Sequence, residues 1–429
     1  MNQKKLKGMI LIVLMAAAGL AGCIGDDDDD DSSTTVVVTD GGYTYASNVD
    51  NHRALMADLC DIKTAASAYD WTTAKDIYEN GQNAEKSDGS YRTLAGFAAA
   101  EDKNHGYDAF YGQAGSIGAH ITAALDGTGD FAGTSDTVRY QGVAKLTANM
   151  GMIGYTIHEL NSAVGKADEG NVDNDSGAPH NWDEGWAFFH GPDENLGCAP
   201  ANTFKKRSAD FGTETDGVSN SLSAVETAMI EGLAALQAED QAGYTAATNT
   251  VVKNVIITYT QATMKYTYKM DDADNGPKYQ AEGYAFWKVI EAYVADYTDA
   301  CYNNKTHTLS YIGAGQASDC DGFQWYEDAT MQDGSTFTGC YNMGIHTMAN
   351  MATGPTGAEM NETNCNDGFG AMSSSGQPMY YDNYGAGQIN EILNLQDATQ
   401  LGTSHDISPH MQMVLSHYGI TAAELGTYA

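Results

Sequence analysis

Two stretches of the chain place a glutamate in the same sequence setting. Residues 173–189 (DNDSGAPHNWDEGWAFF) and 271–287 (DDADNGPKYQAEGYAFW) share a leading aspartate, a proline and a Glu-Gly-aromatic-Ala-Phe-aromatic core. The proline stands five residues before the glutamate, a position that favours the first turn of a helix. The aromatic and alanine residues would bury most of that helix, so Glu184 and Glu282 need a hydrogen-bonding partner, an arginine or a metal ion.

A second group of candidate ligands lies in the sequence GYTIHEL. Tyr155 precedes His158 by three residues and Glu159 by four, so all three can share one side of a helix. A histidine beside a carboxylate is half of a metal site, and tyrosinate is a strong ligand for a hard trivalent cation such as Fe(III). The second histidine of an HExxH motif is missing, which argues against a zinc protease.

The two groups can be combined into one hypothetical iron site. His190 follows Asp183 by seven residues and shares its helix face, and it could meet the GYTIHEL segment if the two helices pack antiparallel. The hypothesis favours Fe3+ over Fe2+. The predicted ligands are His158, Glu159, Glu184, His190, Glu282 and Tyr284.

Calcium is an alternative cation, because the loops before both glutamates are rich in aspartate. Asp271, Asn275, Gly276 and Glu282 match positions 1, 5, 6 and 12 of an EF-hand loop. Position 3 is an alanine, however, and the other stretch has Ala178 where the motif requires glycine. A regular EF-hand is therefore disfavoured, and a calcium-stabilised structural or adhesive surface protein stays an alternative.

Apolar residues recur at helical spacing over most of the chain, which predicts a mainly α fold of helical bundles with Gly-rich loops. Residues 194–216, 302–338 and 353–385 lack this spacing and are expected to be irregular. The similar stretches suggest an internal duplication with halves at 43–192 and 193–300, followed by a cysteine-rich part at 301–429. The predicted helices are 49–69, 71–78, 138–164, 222–236, 251–268, 280–297 and 405–418.

The N-terminus predicts export and a lipid anchor. Three lysines precede an apolar run at residues 9–20, and LAGC then ends at Cys23. The run is too short for a membrane span, and LAGC matches a prokaryotic lipobox, so residues 1–22 are a signal peptide and Cys23 is the lipidation site. A plain secretory signal is the alternative. Residues 23–42 contain six consecutive aspartates and read as an acidic tether.

Charge and cysteine usage restrict the function further. The chain has 57 acidic and 21 basic residues, for a net charge of −36, which excludes nucleic acid as a partner. Six cysteines follow Cys23, and in an exported chain they predict three disulfides, four of the six cysteines lying in the C-terminal part. No nucleophile elbow, phosphate loop or dinucleotide fingerprint is present, so we expect no catalytic activity.

Four sequence segments together resemble those of one known family. They are WTTAKDIYENGQNAEKSDGSYRTLAGFA, WDEGWAFFHG, KKRSADFGT and AEGYAFW, which stand at residues 71–98, 182–191, 205–213 and 281–287. In this order they resemble the Fe-assimilating, low-iron-inducible periplasmic proteins, which are grouped with the phytotransferrins. The resemblance covers residues 43–300. It implies extracytoplasmic iron binding without turnover, with a synergistic anion such as carbonate for which Arg207 is a candidate.

The sequence therefore predicts a cell-surface lipoprotein that captures iron for uptake, with the membrane and a membrane iron transporter as partners. An imelysin-like metal-binding lipoprotein is a further alternative. That family is recognised by a Gly-x-His-x-x-Glu motif. In GYTIHEL the histidine and the glutamate are adjacent, so the motif is matched poorly.

Overall fold

The computed structural model describes residues 38–100, 106–303, 308–316, 319–320, 324–330, 334–342, 347–348 and 380–428. The predicted signal peptide, Cys23 and most of the acidic tether lie outside these ranges. In the part that is described, no helix is long and apolar enough to cross a membrane.

Helices make up most of the described chain, which confirms the predicted mainly α fold. They are α1 (Asp50–Ser67), α2 (Trp71–Asn80), α3 (Leu94–Ala98), α4 (Gly106–Tyr111), α5 (Ser116–Asp126), α6 (Asp136–Lys145), α7 (Met152–Asp168), α8 (Ala178–Phe189), α9 (Pro200–Phe211), α10 (Asn220–Gln237), α11 (Gln241–Tyr268), α12 (Gly276–Val294), α13 (Tyr384–Ile392), α14 (Ser408–His417) and α15 (Ala422–Leu425). A π-helical turn, Leu146–Gly151, joins α6 to α7, so the helix predicted at 138–164 is present with one local irregularity.

Helix α9 lies where the sequence predicted an irregular connection. Pro200 occupies its first turn, where the missing N–H is harmless. Its buried face includes Ala201, Phe204, Ser208 and Phe211, which follow helical spacing. The charged KKR segment at residues 205–207 interrupts the apolar pattern of this helix, so its helical periodicity is weak in the sequence.

The chain divides into a helical unit and a smaller unit. Within the described residues the helical unit comprises 38–293, 390–407 and 420–428, so it contains the predicted half 43–192 and residues 193–293 of the predicted half 193–300. Its largest fully buried side chains include Trp182 and Trp186 of α8 and Trp287 of α12. The internal duplication stays a prediction.

The smaller unit contains short antiparallel strands where irregular chain was expected. In one sheet β3 (Asp299–Asn303) lies between β4 (Thr308–Gly313) and β8 (Tyr380–Tyr381), and in the other β6 (Thr336–Asn342) lies between β5 (Gln324–Thr330) and β7 (Thr347–Met348). These strands are rich in threonine and aromatic residues, which favour pleated structure. A disulfide between Cys301 and Cys320 fixes the first sheet, and Cys340 is also disulfide-bonded.

Within the helical unit, α7 and α8 pack closely because α8 carries a glycine at the contact. A Cβ on Gly185 would lie 3.2 Å from Leu160 Cδ2 and 3.5 Å from the Thr156 carbonyl oxygen. The absence of a side chain lets the two backbones approach. This approach brings Glu159 of α7 near Glu184 of α8.

A buried carboxylate of α8 holds the N-terminal hairpin, together with Trp186, whose Nε1 donates to the Asp40 carbonyl oxygen at 3.0 Å. The hairpin consists of β1 (Thr39–Asp40) and β2 (Tyr43–Thr44). Asp183 accepts hydrogen bonds from the Tyr43 hydroxyl at 2.5 Å, from the backbone N–H of Ala46 at 2.9 Å, and from both the backbone N–H and the hydroxyl of Ser47 at 2.7 Å. Burial raises the pKa of Asp183 to about 6, although these donors oppose the shift. Since α1 begins at Asp50, the Asp183 contacts also fix the start of α1.

We predict that Asp183→Ala lowers the free energy of unfolding by about 2–5 kcal/mol, because the buried donors lose their acceptor. Urea unfolding followed by circular dichroism measures this change. Asp193→Ala is the matched control: Asp193 accepts a hydrogen bond from Gly41 of the same hairpin at 3.0 Å, but its side chain is 69% exposed. Equal losses in the two variants would contradict the anchoring role of Asp183.

A disulfide between Cys60 and Cys198 joins α1 to the turn before α9, across a sequence separation of 138 residues. Because it closes a long loop, we predict that replacing both cysteines with serine lowers the free energy of unfolding by about 2–5 kcal/mol. The Cys301–Cys320 disulfide spans a sequence separation of only 19 residues. Replacing these two cysteines with serine should therefore lower the free energy of unfolding by less. A larger loss in that second variant would show that loop entropy does not govern the effect.

Candidate metal centre

Two imidazoles from different helices converge on one carboxylate oxygen. His52, in the first turn of α1, places Nε2 3.1 Å from Glu184 Oε1. His180 stands one turn before Glu184 on α8 and places Nε2 3.2 Å from the same oxygen. The Glu184 side chain is only 12% exposed, so this charge lies largely out of water.

Helix α7 adds a second carboxylate and a third imidazole. Glu159 Oε2 accepts a hydrogen bond from Asn181 Nδ2 at 2.7 Å, and the Glu159 carboxyl group also interacts with Glu184. His158 Nε2 lies 3.9 Å from Glu159 Oε1. We call His52, His158, Glu159, His180 and Glu184 the imidazole–carboxylate cluster.

The hydrogen bonds around His180 orient its ring. Its Nδ1 lies 2.9 Å from the Ser47 hydroxyl, which in turn donates to Asp183. With Nδ1 held in this way, Nε2 faces Glu184. The residues that anchor the hairpin thus also set the geometry of the cluster, as outer-shell partners do in metalloproteins.

Burial and charge act in opposite directions on the ionisable groups of the cluster. Burial alone would raise the pKa of Glu184, but the neighbouring His52 and His180 hold it well below its usual range. Burial would lower the pKa of His180, yet contact with Glu184 outweighs it and raises the pKa. The arrangement therefore favours an ionised glutamate beside a protonated imidazole, and a metal cation could take the place of that proton.

Aromatic rings form one wall of the cluster. Phe188 of α8 lies 5.5 Å from the His52 ring, and Phe97 of α3 and Tyr155 of α7 pack against Phe188 at 5.1 and 5.7 Å between ring centroids. These rings shield the polar groups from solvent on that side. Electrostatic interactions in the cluster are stronger as a result.

The polar groups contact one another instead of surrounding a common point. Across the described ranges, no group of three or more His, Cys, Asp or Glu side chains is arranged around an ion-sized centre. The separations of 3.1 and 3.2 Å are nevertheless close to the distance of about 3 Å between neighbouring ligands that each bind a metal at about 2.1 Å.

Three of the six ligands predicted from the sequence meet in this cluster, namely His158, Glu159 and Glu184. The other three make their contacts elsewhere. His190 stacks on Trp186 at 5.0 Å, with its Nδ1 2.8 Å from the Gly191 carbonyl oxygen. The Tyr284 hydroxyl donates to Asp130 Oδ2 at 2.6 Å.

Glu282 lies on α12 and is 5% exposed. Lys145 is near enough to feel its charge, and Tyr266 interacts with both Glu282 and Arg207. The similar sequence stretches thus place their glutamates in different surroundings, one among imidazoles and one among basic side chains.

The sequence interpretation did not select His52 or His180 as ligands. The spacing of four residues between His180 and Glu184 was a usable signal, because it puts both on one helix face. His52 had no such signal, since only the packing of α1 against α8 brings it near Glu184.

Aspartates in the two loops accept hydrogen bonds from the backbone of their own loops. Asp173 accepts hydrogen bonds from the N–H groups of Asp175 and Ser176 at 3.1 Å, and Asp272 accepts from those of Asp274 and Asn275 at 3.0 Å. These contacts form turns that lead into α8 and α12. Each carboxylate therefore has a structural role in shaping its loop.

A family model described as Fea1, low iron-inducible periplasmic protein, matches residues 10–308 of the 429-residue chain. No curated protein and no solved structure matches the chain. The matched range contains every residue of the imidazole–carboxylate cluster. The disulfides agree with the extracytoplasmic location in the family description. The chain therefore belongs to the Fea1 family of low iron-inducible periplasmic proteins.

Proposed function

We propose that this protein captures iron at the imidazole–carboxylate cluster and holds it for uptake, without catalytic turnover. The observation that carries the proposal is the convergence of His52 and His180 on Glu184. The family description, which names induction by low iron, makes iron the first cargo to test.

The chemistry of the donors fits this cargo. Imidazole nitrogen and carboxylate oxygen are the ligands of non-haem iron sites, and a combination of two histidines and one carboxylate is characteristic of such sites. Glu159 would add a second carboxylate, which favours a hard cation and makes Fe3+ the first oxidation state to test, with Fe2+ second. A carbonate ion could complete the coordination, and adding bicarbonate tests for it.

Calcium has less support as the cargo. The loop carboxylates of Asp173 and Asp272 already accept hydrogen bonds from their own backbone, whereas a calcium site needs six to eight oxygen ligands. The imidazoles around Glu184 are also poor ligands for calcium. The cluster is therefore better suited to a transition metal.

We predict that Glu184→Gln weakens iron binding by residues 38–429 at least about tenfold, because the two imidazoles lose their shared anionic partner. Titration with a soluble ferric chelate, and anaerobically with ferrous iron, measures the affinity with and without bicarbonate. Glu282→Gln is the matched control, because it changes the equivalent glutamate of the other stretch. Equal weakening by both substitutions would contradict a site centred on Glu184, and binding no tighter than that of a generic acidic protein would contradict iron capture.

We further propose that Cys23 anchors the protein to the membrane through lipid, so that bound iron is kept near a membrane iron transporter. Cys23→Ser should move the protein from the membrane fraction to the soluble fraction and abolish labelling by a fatty acid, since buried acyl chains supply the anchoring energy. Ser33→Ala, in the same tether, is the control and should leave both unchanged. Membrane retention of the serine variant would exclude lipid at Cys23 as the anchor.

A further inference from the structure

A lysine, a glutamate and an asparagine meet inside the helical unit. Lys288 and Glu291 lie about one turn apart on α12, and Asn390 lies near the end of α13 in the part of that helix that belongs to the helical unit. Lys288 is 8% exposed, Glu291 is 3% exposed, and Asn390 is partly buried. Lysine and glutamate are seldom buried this far, so their position needs an explanation.

The three side chains contact one another in pairs. Lys288 Nζ donates hydrogen bonds to Glu291 Oε2 at 2.6 Å and to Asn390 Oδ1 at 3.2 Å. Asn390 Nδ2 donates to the other carboxylate oxygen, Glu291 Oε1. Glu291 therefore bridges the amine and the amide nitrogen, and the amine lies beside the carbonyl group of the amide.

Neighbouring aromatic side chains hold this arrangement in place. Trp287 Nε1 donates to Asn390 Oδ1 at 3.0 Å, and the Tyr111 hydroxyl donates to Glu291 Oε2 at 2.7 Å. The centres of the Tyr111 and Tyr284 rings each lie 5.4 Å from Lys288 Nζ. The polar groups are thus enclosed by rings, where electrostatic interactions and proton transfers are little affected by water.

Stability alone gives a poor account of this group. A buried ion pair adds little net stability, because taking both charges out of water costs about as much as their attraction returns. The pair also has no need of a carboxamide that contacts both of its members. The group does contain what acyl transfer requires, namely an amine nucleophile, a carboxylate that can carry protons, and an acyl carbon with a donor at its oxygen.

We propose that Lys288 and Asn390 join in an intramolecular isopeptide bond, with Glu291 as the proton carrier. Glu291 takes a proton from Nζ, and the freed lone pair of Nζ attacks Cγ of Asn390. The Nζ–Cγ bond forms and the Cγ–Nδ2 bond breaks. Glu291 passes its proton to Nδ2, so that nitrogen leaves as ammonia, and it then accepts the second proton that Nζ loses. The reaction consumes no oxidant and no second substrate.

The tryptophan supports the transition state of this reaction. Negative charge develops on Asn390 Oδ1 while Nζ adds to Cγ, and the Trp287 N–H already points at that oxygen. Packing also keeps the amine and the carbonyl group together before the reaction starts, which removes much of the entropic barrier. Trp287 is therefore a positioning residue as well as a donor.

The position of the bond in the chain suggests its use. Lys288 and Asn390 are 102 residues apart in the sequence, and they stand just before the chain leaves the helical unit and where it returns. A covalent link that closes so long a loop restricts the unfolded chain, as a disulfide does, but it resists reduction. None of these residues belongs to the imidazole–carboxylate cluster, so the bond does not depend on iron binding.

Mass spectrometry of the purified, full-length protein after disulfide reduction tests the bond. We expect the intact mass to be lower by one ammonia molecule than the sequence requires. Comparison with the variants, corrected for each substitution, removes any effect of processing at the N-terminus. Cleavage after glutamate should yield one branched peptide in which residues 283–291 are joined to residues 363–391.

Two substitutions should restore the full mass. Lys288→Met removes the nucleophile, and Glu291→Gln keeps the shape of the side chain but cannot carry the protons. Lys265→Met is the matched control, because Lys265 also pairs with a carboxylate, Asp210, at 2.8 Å, and the mass deficit should remain. In denaturing electrophoresis the unmodified chain should migrate faster than Lys288→Met, since the closed loop makes it more compact.

The measurements can overturn the proposal in two ways. A full intact mass for the folded, unmodified protein would show that Lys288, Glu291 and Asn390 form only a hydrogen-bonded ion pair. A mass deficit that persists in Lys288→Met would show that ammonia is lost at another residue. Because the first result needs no substitution, a variant that fails to fold does not prevent the decision.

Discussion

The helical unit depends on the buried carboxylate of Asp183. A carboxylate that is fully buried needs several donors, and here a tyrosine hydroxyl, a serine hydroxyl and two backbone N–H groups supply them. All of these donors come from the segment just before α1. One side chain on α8 therefore holds the segment that leads from the N-terminal hairpin to the start of α1. The candidate metal centre uses the very next residue, Glu184, and a histidine in the first turn of α1. The Ser47 hydroxyl links the two, because it donates to Asp183 and lies 2.9 Å from His180 Nδ1.

The glutamates of the two similar stretches show how surroundings determine the chemistry of a residue. Both follow a proline-initiated helix start and precede a glycine that allows close packing. Glu184 meets imidazoles, which can give up a proton to make room for a metal ion. Glu282 meets lysine and arginine, which stay charged and do not coordinate metals in that form. The same sequence pattern thus places one glutamate among imidazoles and the other near basic side chains, because the neighbouring helices contribute different partners.

The longest helices and three of the five cluster residues were predictable from the sequence, for identifiable reasons. Apolar periodicity predicted α1, α10, α11 and α12, and the proline rule predicted that Pro179 lies in the first turn of a helix, as it does in α8. Local spacing also predicted that His158 and Glu159 would lie near Glu184 in a common site. Local spacing could not identify His52, because His52 and Glu184 are far apart in the sequence and meet only when α1 packs against α8. Helix α9 and the strands of the smaller unit were missed because charged residues or short lengths weakened their periodic patterns.

The net charge of −36 bears on selectivity as well as solubility. A strongly negative surface raises the local concentration of every cation, so it speeds capture but cannot distinguish iron from calcium or magnesium. Selection must come from the ligand types, and imidazoles favour transition metals over the alkaline earths. Burial strengthens the electrostatic interactions of the cluster. The Glu184 side chain is only 12% exposed, and Phe188 lies against the His52 ring, so little water screens these charges. Under the proposed function, the acidic surface would therefore contribute to the rate of encounter and the imidazole–carboxylate cluster to the choice of metal.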